Sequence, residues 1–174
     1  MKNITQTTRE LQQWINWLEA SLKIGLEDKQ LKANVRKAIG DVQQFRDDRD
    51  AAIESYNEAL KLFRQVGDKL GEANTLQSLG KMMIIKAEDQ LSFEKGMETI
   101  QTAMQIYEEI NAMAGQINIL MFLSQVTANM GQIDKALEIA QAAFFMLIKA
   151  AGEEHPVTLS FKEFMKKLHE AKEK

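Results

Sequence analysis

Apolar and small residues recur along this chain in steps of three and four, and the pattern itself repeats. The segment AIESYNEALKLF, from Ala52, overlays GMETIQTAMQIY, from Gly96, at a shift of 44, and ALEIAQAAFFML, from Ala136, at a further shift of 40. Seven positions stay in register: Ala52/Gly96/Ala136, Ile53/Met97/Leu137, Tyr56/Ile100/Ala140, Ala59/Ala103/Ala143, Leu60/Met104/Phe144, Phe63/Tyr107/Leu147 and Val66/Ile110/Ala150. All are apolar, small or aromatic, and their spacing traces one stripe of an α-helix. Repetition at such a period marks an array of supersecondary units.

The preceding segments repeat too. LKANVRKAIGDV, GEANTLQSLGKM and GQINILMFLSQV align with Gly40, Gly80 and Ser124 in one slot, flanked by Ile39, Leu79 and Leu123 and by Val42, Met82 and Val126. Each unit is therefore a helix pair, A then B. Gly67 suits a left-handed C-cap and Asp68 an N-cap. The A–B turns FRDDRD and NMGQID are rich in cap residues, and capping accounts for the acidic run at Asp47. Gly80 to Gly96 is 16 residues where Gly40 to Ala52 is 12. The extra four, about one helical turn, predict an extended helix or an enlarged loop around Lys86 to Phe93.

Helix pairs with a Leu-Gly in helix A, an Ala opening helix B and Ala-x-x-x-aromatic later in it resemble tetratricopeptide repeats. The stretch VGDKLGEANTLQSLG is similar to the lengthened repeats of cytoplasmic scaffold and motor light-chain proteins, and to the sensor arrays of signal-transduction NTPases. The likeness covers Leu31 to Ala151, with a period of 40 to 44 rather than 34 and no proline after helix B. It implies an all-α fold: a right-handed α-solenoid of helix-turn-helix repeats with flanking capping helices. The expected organisation is one domain, 1–174, with an N-terminal helix at 8–25, repeats at 29–67, 68–111 and 112–151, and a C-terminal capping helix at 156–172. Thr7-x-x-Glu10 is read as a capping box opening a helix that turns Leu11, Trp14, Ile15, Leu18 and Leu22 to one face. After Gly152 and Pro156, Leu159, Phe161, Phe164, Met165 and Leu168 form the apolar side of the last helix.

Composition narrows the function. There is no cysteine, so disulfides and thiolate metal sites are excluded, which fits a reducing, cytoplasmic setting. The net charge of −3, with both signs interleaved, offers no basic stripe to nucleic acid. The run Ala142 to Ile148 is far short of the ~20 apolar residues that span a bilayer, so no membrane role is expected. Neither His155 nor His169 sits in a metal-ligand pattern, and the DDRD run lacks the glycine and trailing glutamate of a calcium loop. Glu153-Glu154-His155, beside a proline, reads as a solvated turn. No catalytic residue, metal or cofactor is expected, and the chain is not read as an enzyme.

The expected partner is a protein or peptide in the concave groove. Six residues before the Gly/Ser slot stand Asn34, Asn74 and Asn118; neighbouring groove slots hold Lys37, Gln77 and Met121, then Asp41, Lys81 and Gln125. A carboxamide donates and accepts, which suits the backbone of an extended peptide; the competing reading is local hydrogen bonding near helix starts. Asp41 puts a negative charge where a carboxylate clamp would need basic groups. Two wide apolar runs bear on self-association: Met82 to Ile85, of which at least one side chain should face outward, and Phe144 to Ile148, read as core. Exposed apolar surface would make a homodimer the alternative function. The register itself is testable: Ala59→Leu, at a small-residue crossing, should cost about 1–3 kcal/mol in urea unfolding, and a neutral result would mean the repeats are misaligned.

Overall fold

A computed structural model describes residues 4–23 and 28–173, with side chains from Arg9 onward. The described residues form eight α-helices: α1 (Ile4–Lys23), α2 (Lys29–Phe45), α3 (Arg49–Val66), α4 (Lys69–Ile85), α5 (Gln90–Glu109), α6 (Met113–Asn129), α7 (Ile133–Ala151) and α8 (Pro156–Lys172). None is long and apolar enough to cross a membrane. The chain divides into two compact units, Met1–Ile106 and Tyr107–Lys174, with the boundary inside α5. The arrangement is a helical repeat: α2/α3, α4/α5 and α6/α7 are the three expected pairs.

Within the first unit the pairs meet at their small residues. A Cβ on Gly40 would stand 2.8 Å from the ring of Tyr56, and one on Gly80 would stand 2.8 Å from Ile100 and 3.1 Å from the Gly96 carbonyl. Ala52, Ala59 and Phe63 are buried on the same stripe of α3. In the second unit the slot is filled by Ser124, whose buried hydroxyl donates to the Ala136 carbonyl at 2.9 Å. The junction between a B helix and the next A helix is equally close. A Cβ on Gly71 would collide with the Phe63 ring, and one on Gly115 with the Tyr107 ring.

The four extra residues of repeat two divide between both expected places. α5 starts six residues before Gly96, whereas α3 and α7 start three before Ala52 and Ala136, and the α4–α5 turn has one residue more than the other two A–B turns. The turns share backbone conformation rather than residue type. Gly67 and Asn111 follow equivalent B helices at φ +74 and +56, and Asp47 and Gly131 centre their A–B turns at φ +65 and +76. Asn and Asp are the non-glycine residues that visit this region most readily. Asp68 caps α4 as expected, accepting from the Gly71 N–H at 2.8 Å.

The acidic run is different. Asp48 occupies the N-cap position of α3 without a side-chain cap bond, and its carboxylate lies 3.9 Å from Arg46. Asp47, turned by its left-handed backbone, pairs with Lys86 at 2.7 Å, while Arg49 donates to the Lys86 carbonyl at 3.0 Å. The run thus stitches the α2–α3 turn to the α4–α5 turn rather than capping a helix.

Three apolar expectations are corrected. In α1, Ile15 is buried but Trp14 is 60% exposed. The helix already runs from Ile4, so Thr7 lies inside it and not at its N-cap; the Thr7 side chain falls outside the described residues. In α7, Leu147 is buried and Phe144 and Met146 pack on the same core, but Phe145 is 72% exposed, because consecutive helical residues point about 100° apart. In α8, Phe161 and Leu168 join the α7 core with Ala140, Ala143 and Leu147, but Leu159 is 46% exposed. His155 and Pro156 open α8 at a turn that is exposed, the His155 Nδ1 accepting from the Val157 N–H.

The crossing geometry predicts a contrast. Gly40→Ala should lower stability by about 1–3 kcal/mol, since the buried ring it meets has no room to retreat. Gly67→Asn, where Cβ space is open and Asn111 shows the conformation is accessible, should stay within about 0.5 kcal/mol by urea denaturation.

Candidate functional site

The three asparagines occupy one position. Each is the sixth residue of its helix, Asn34 in α2, Asn74 in α4 and Asn118 in α6, and each side chain is exposed. The side chains of Asn34 and Asn118 make no hydrogen bond among the described residues. Asn74 does have a partner of its own.

In the first unit α2 and α4 pack against one another. Lys37 is half-buried and Asp41 exposed on α2; Gln77 and Lys81 are half-buried on α4. Burial holds the Lys81 ammonium below the usual lysine range. In the second unit Gln125 is exposed beside the same face of α6 as Asn118, whereas half-buried Met121 packs on the core formed by Ile117 and α7.

Asp41 is not a loose negative charge. Lys37 Nζ lies 2.8 Å from its Oδ2, and Tyr56 Oη lies 2.9 Å from its Oδ1. The same phenol lies 2.7 Å from Gln44 Oε1. Its one proton is contested by two acceptors, and the charged one is the stronger. Desolvation by burial, then the Asp41 charge and hydrogen bond, push the phenol far above the usual tyrosine range. Beside it, Ser55 Oγ donates to Gln43 Oε1 at 2.7 Å.

Sequence reasoning placed Tyr56 in the apolar stripe and missed this network. The signal was present, because a buried tyrosine needs a partner for its hydroxyl where a phenylalanine would not. The Asp41 carboxylate, expected as a negative charge in the groove, is paired with Lys37. Asn34, Lys37 and Asp41 thus lie on α2 and Asn74, Gln77 and Lys81 on the adjacent α4, the last three each with a partner of its own. A carboxamide can both donate and accept hydrogen bonds.

Among the described residues no three His, Asp or Glu side chains are grouped as metal ligands would be. No protein-family model matches the chain, and no curated protein is significantly similar to it.

Tyr56→Phe should cost about 1–2 kcal/mol at neutral pH. A folded-state pKa raised above the ordinary 10.0 contributes stability that is complete below about pH 10 and is lost as pH rises beyond it. The gap between wild type and variant, read from urea curves, should therefore narrow above about pH 10. The variant's remaining alkaline loss should include Tyr107, which burial pushes up to about 12.

Proposed function

We propose that this chain is a peptide- or protein-binding module of the tetratricopeptide-repeat kind, holding an extended polypeptide along the outward faces of its A helices. On this reading it is a right-handed solenoid with α1 and α8 as capping helices, a non-enzymatic scaffold or sensor segment of a larger cytoplasmic protein. The observation that carries it is the exposure of Asn34 and Asn74 at one register position on two helices that pack side by side. Beneath them, Tyr56 of α3 joins Asp41 and Gln44 of α2 in a shared floor. A rigid floor lowers the ordering cost that a bound peptide would otherwise meet.

Self-association is the second reading. Phe45 and Ile85 each end an A helix five residues after its glycine, and they are 75% and 63% exposed. The expectation that part of the Met82 to Ile85 run faces outward is met by Ile85, while Met82 and Ile84 are buried. Two such side chains in the first unit would be covered in a dimer.

An Asn34→Ala/Asn74→Ala double variant should keep its stability within about 1 kcal/mol. It should also lose about tenfold in affinity for peptides selected on the wild-type chain. A large loss of stability would make the asparagines structural. A concentration-independent dimer in light scattering that dissociates in Ile85→Glu would favour self-association.

A further inference from the structure

A second surface lies on the other side of α2. Lys32 and Arg36 stand two positions either side of Asn34, which is about 200° around the helix from it. They line a hollow of about 430 Å³ with Leu22 of α1 and with Glu58, Lys61 and Leu62 of α3. Among the described residues, three cations and one carboxylate therefore face a single cleft in a chain whose net charge is −3.

The one acid is already engaged: Glu58 Oε2 lies 2.5 Å from Arg36 Nε. Lys32 and Lys61 have no ion-pair partner among the described residues. Lys32 and Arg36 are half-buried, so their charges stand in surroundings where an anion is held more strongly than in open water. Leu22 and Leu62 are half-buried in the same hollow and provide apolar wall.

We propose that this hollow is a second binding site, taking an acidic side chain of a partner polypeptide together with an adjoining apolar residue. Charge complementarity requires the anion, and the two lysines supply it with point-charge partners. The volume falls in the range of ligand pockets and exceeds what a small inorganic anion fills. The leucines add burial for an aliphatic neighbour. A partner lying on the asparagine face would leave this hollow open, so the two sites stand or fall separately.

The test is a phage-displayed library of random dodecapeptides selected on the full chain, after subtraction on a Lys32→Glu/Lys61→Glu variant. Recovered peptides should place Asp or Glu beside Leu, Ile, Val or Phe. They should bind the reversed variant at least about tenfold more weakly, weaken as salt rises, and ignore Asn34→Ala/Asn74→Ala. Lys61→Ala, at an exposed position, covers the case in which the double reversal fails to fold; it should weaken binding by about threefold or more. Glu58→Gln should tighten binding. The proposal is overturned if no peptide survives subtraction, if survivors lack acidic residues, or if Lys61→Ala and salt leave binding unchanged. It is equally overturned if inorganic phosphate alone occupies the hollow, or if the reversal dissolves a dimer seen in light scattering.

Discussion

The close approach of A and B helices at a residue without a side chain is the constraint on which the rest depends. At Gly40 the aromatic ring of Tyr56 lies where a Cβ would have been, and at Gly80 the contact is with Ile100 and a backbone carbonyl. Such crossings bring the largest buried side chains into contact with main chain, where packing density and dispersion contact are greatest. Ser124 shows the tolerance of the slot. Its hydroxyl is admitted because the Ala136 carbonyl of the facing helix accepts its hydrogen bond, which removes the penalty of burying a polar group. The B-to-A junctions use the same device at Gly71 and Gly115, against the rings of Phe63 and Tyr107.

From that crossing the chemistry of the surface follows. With Gly40 beneath it, the Tyr56 ring lies flat enough on α2 to present its hydroxyl to Asp41, one residue further along. Asp41 in turn holds Lys37, one turn earlier on the same face. A residue in the core thus fixes the posture of two residues on the outside. Asp41, which as an isolated carboxylate would repel an acidic ligand, becomes half of a neutral pair.

What could be read from sequence is what periodicity controls. The helix pairs, the small-residue slots, the Asp68 cap, the Gly67 turn and the site of the extra helical turn all follow from spacing, since 3.6-residue geometry leaves one stripe for the core. What could not be read lies at stripe edges and in long-range polar contacts. Trp14, Phe145 and Leu159 belong to apolar clusters by composition but to the outer face by angle, and hydrophobicity alone does not carry the angle. Asp47 and Asp48 look like cap residues because aspartate caps often. The partner across space, Lys86, is 39 positions away in the chain. The asparagine register was legible because it repeats; the Tyr56 network was not, because it occurs once.

The two faces of α2 differ in kind for a geometric reason. A helix in the middle of a packed unit has neighbours on part of its circumference only, here α1, α3 and α4, and what remains is divided into separate strips. Asn34, Lys37 and Asp41 recur at three and four residues and share one strip, where Lys37 and Asp41 pair with each other. Lys32 and Arg36 recur at four and share the strip facing α1 and α3, where cations outnumber the single acid. Like charges at that spacing disfavour an isolated helix by a few tenths of a kcal/mol. Glu58 offsets Arg36, but nothing among the described residues offsets Lys32 or Lys61. A half-buried cation such as Lys32 with no ion-pair partner among the described residues is a cost that packing does not require, since a neutral side chain of similar length would fill the same wall. Function accounts for its presence better than stability does, and the chemistry that removes the cost is a carboxylate brought by another molecule.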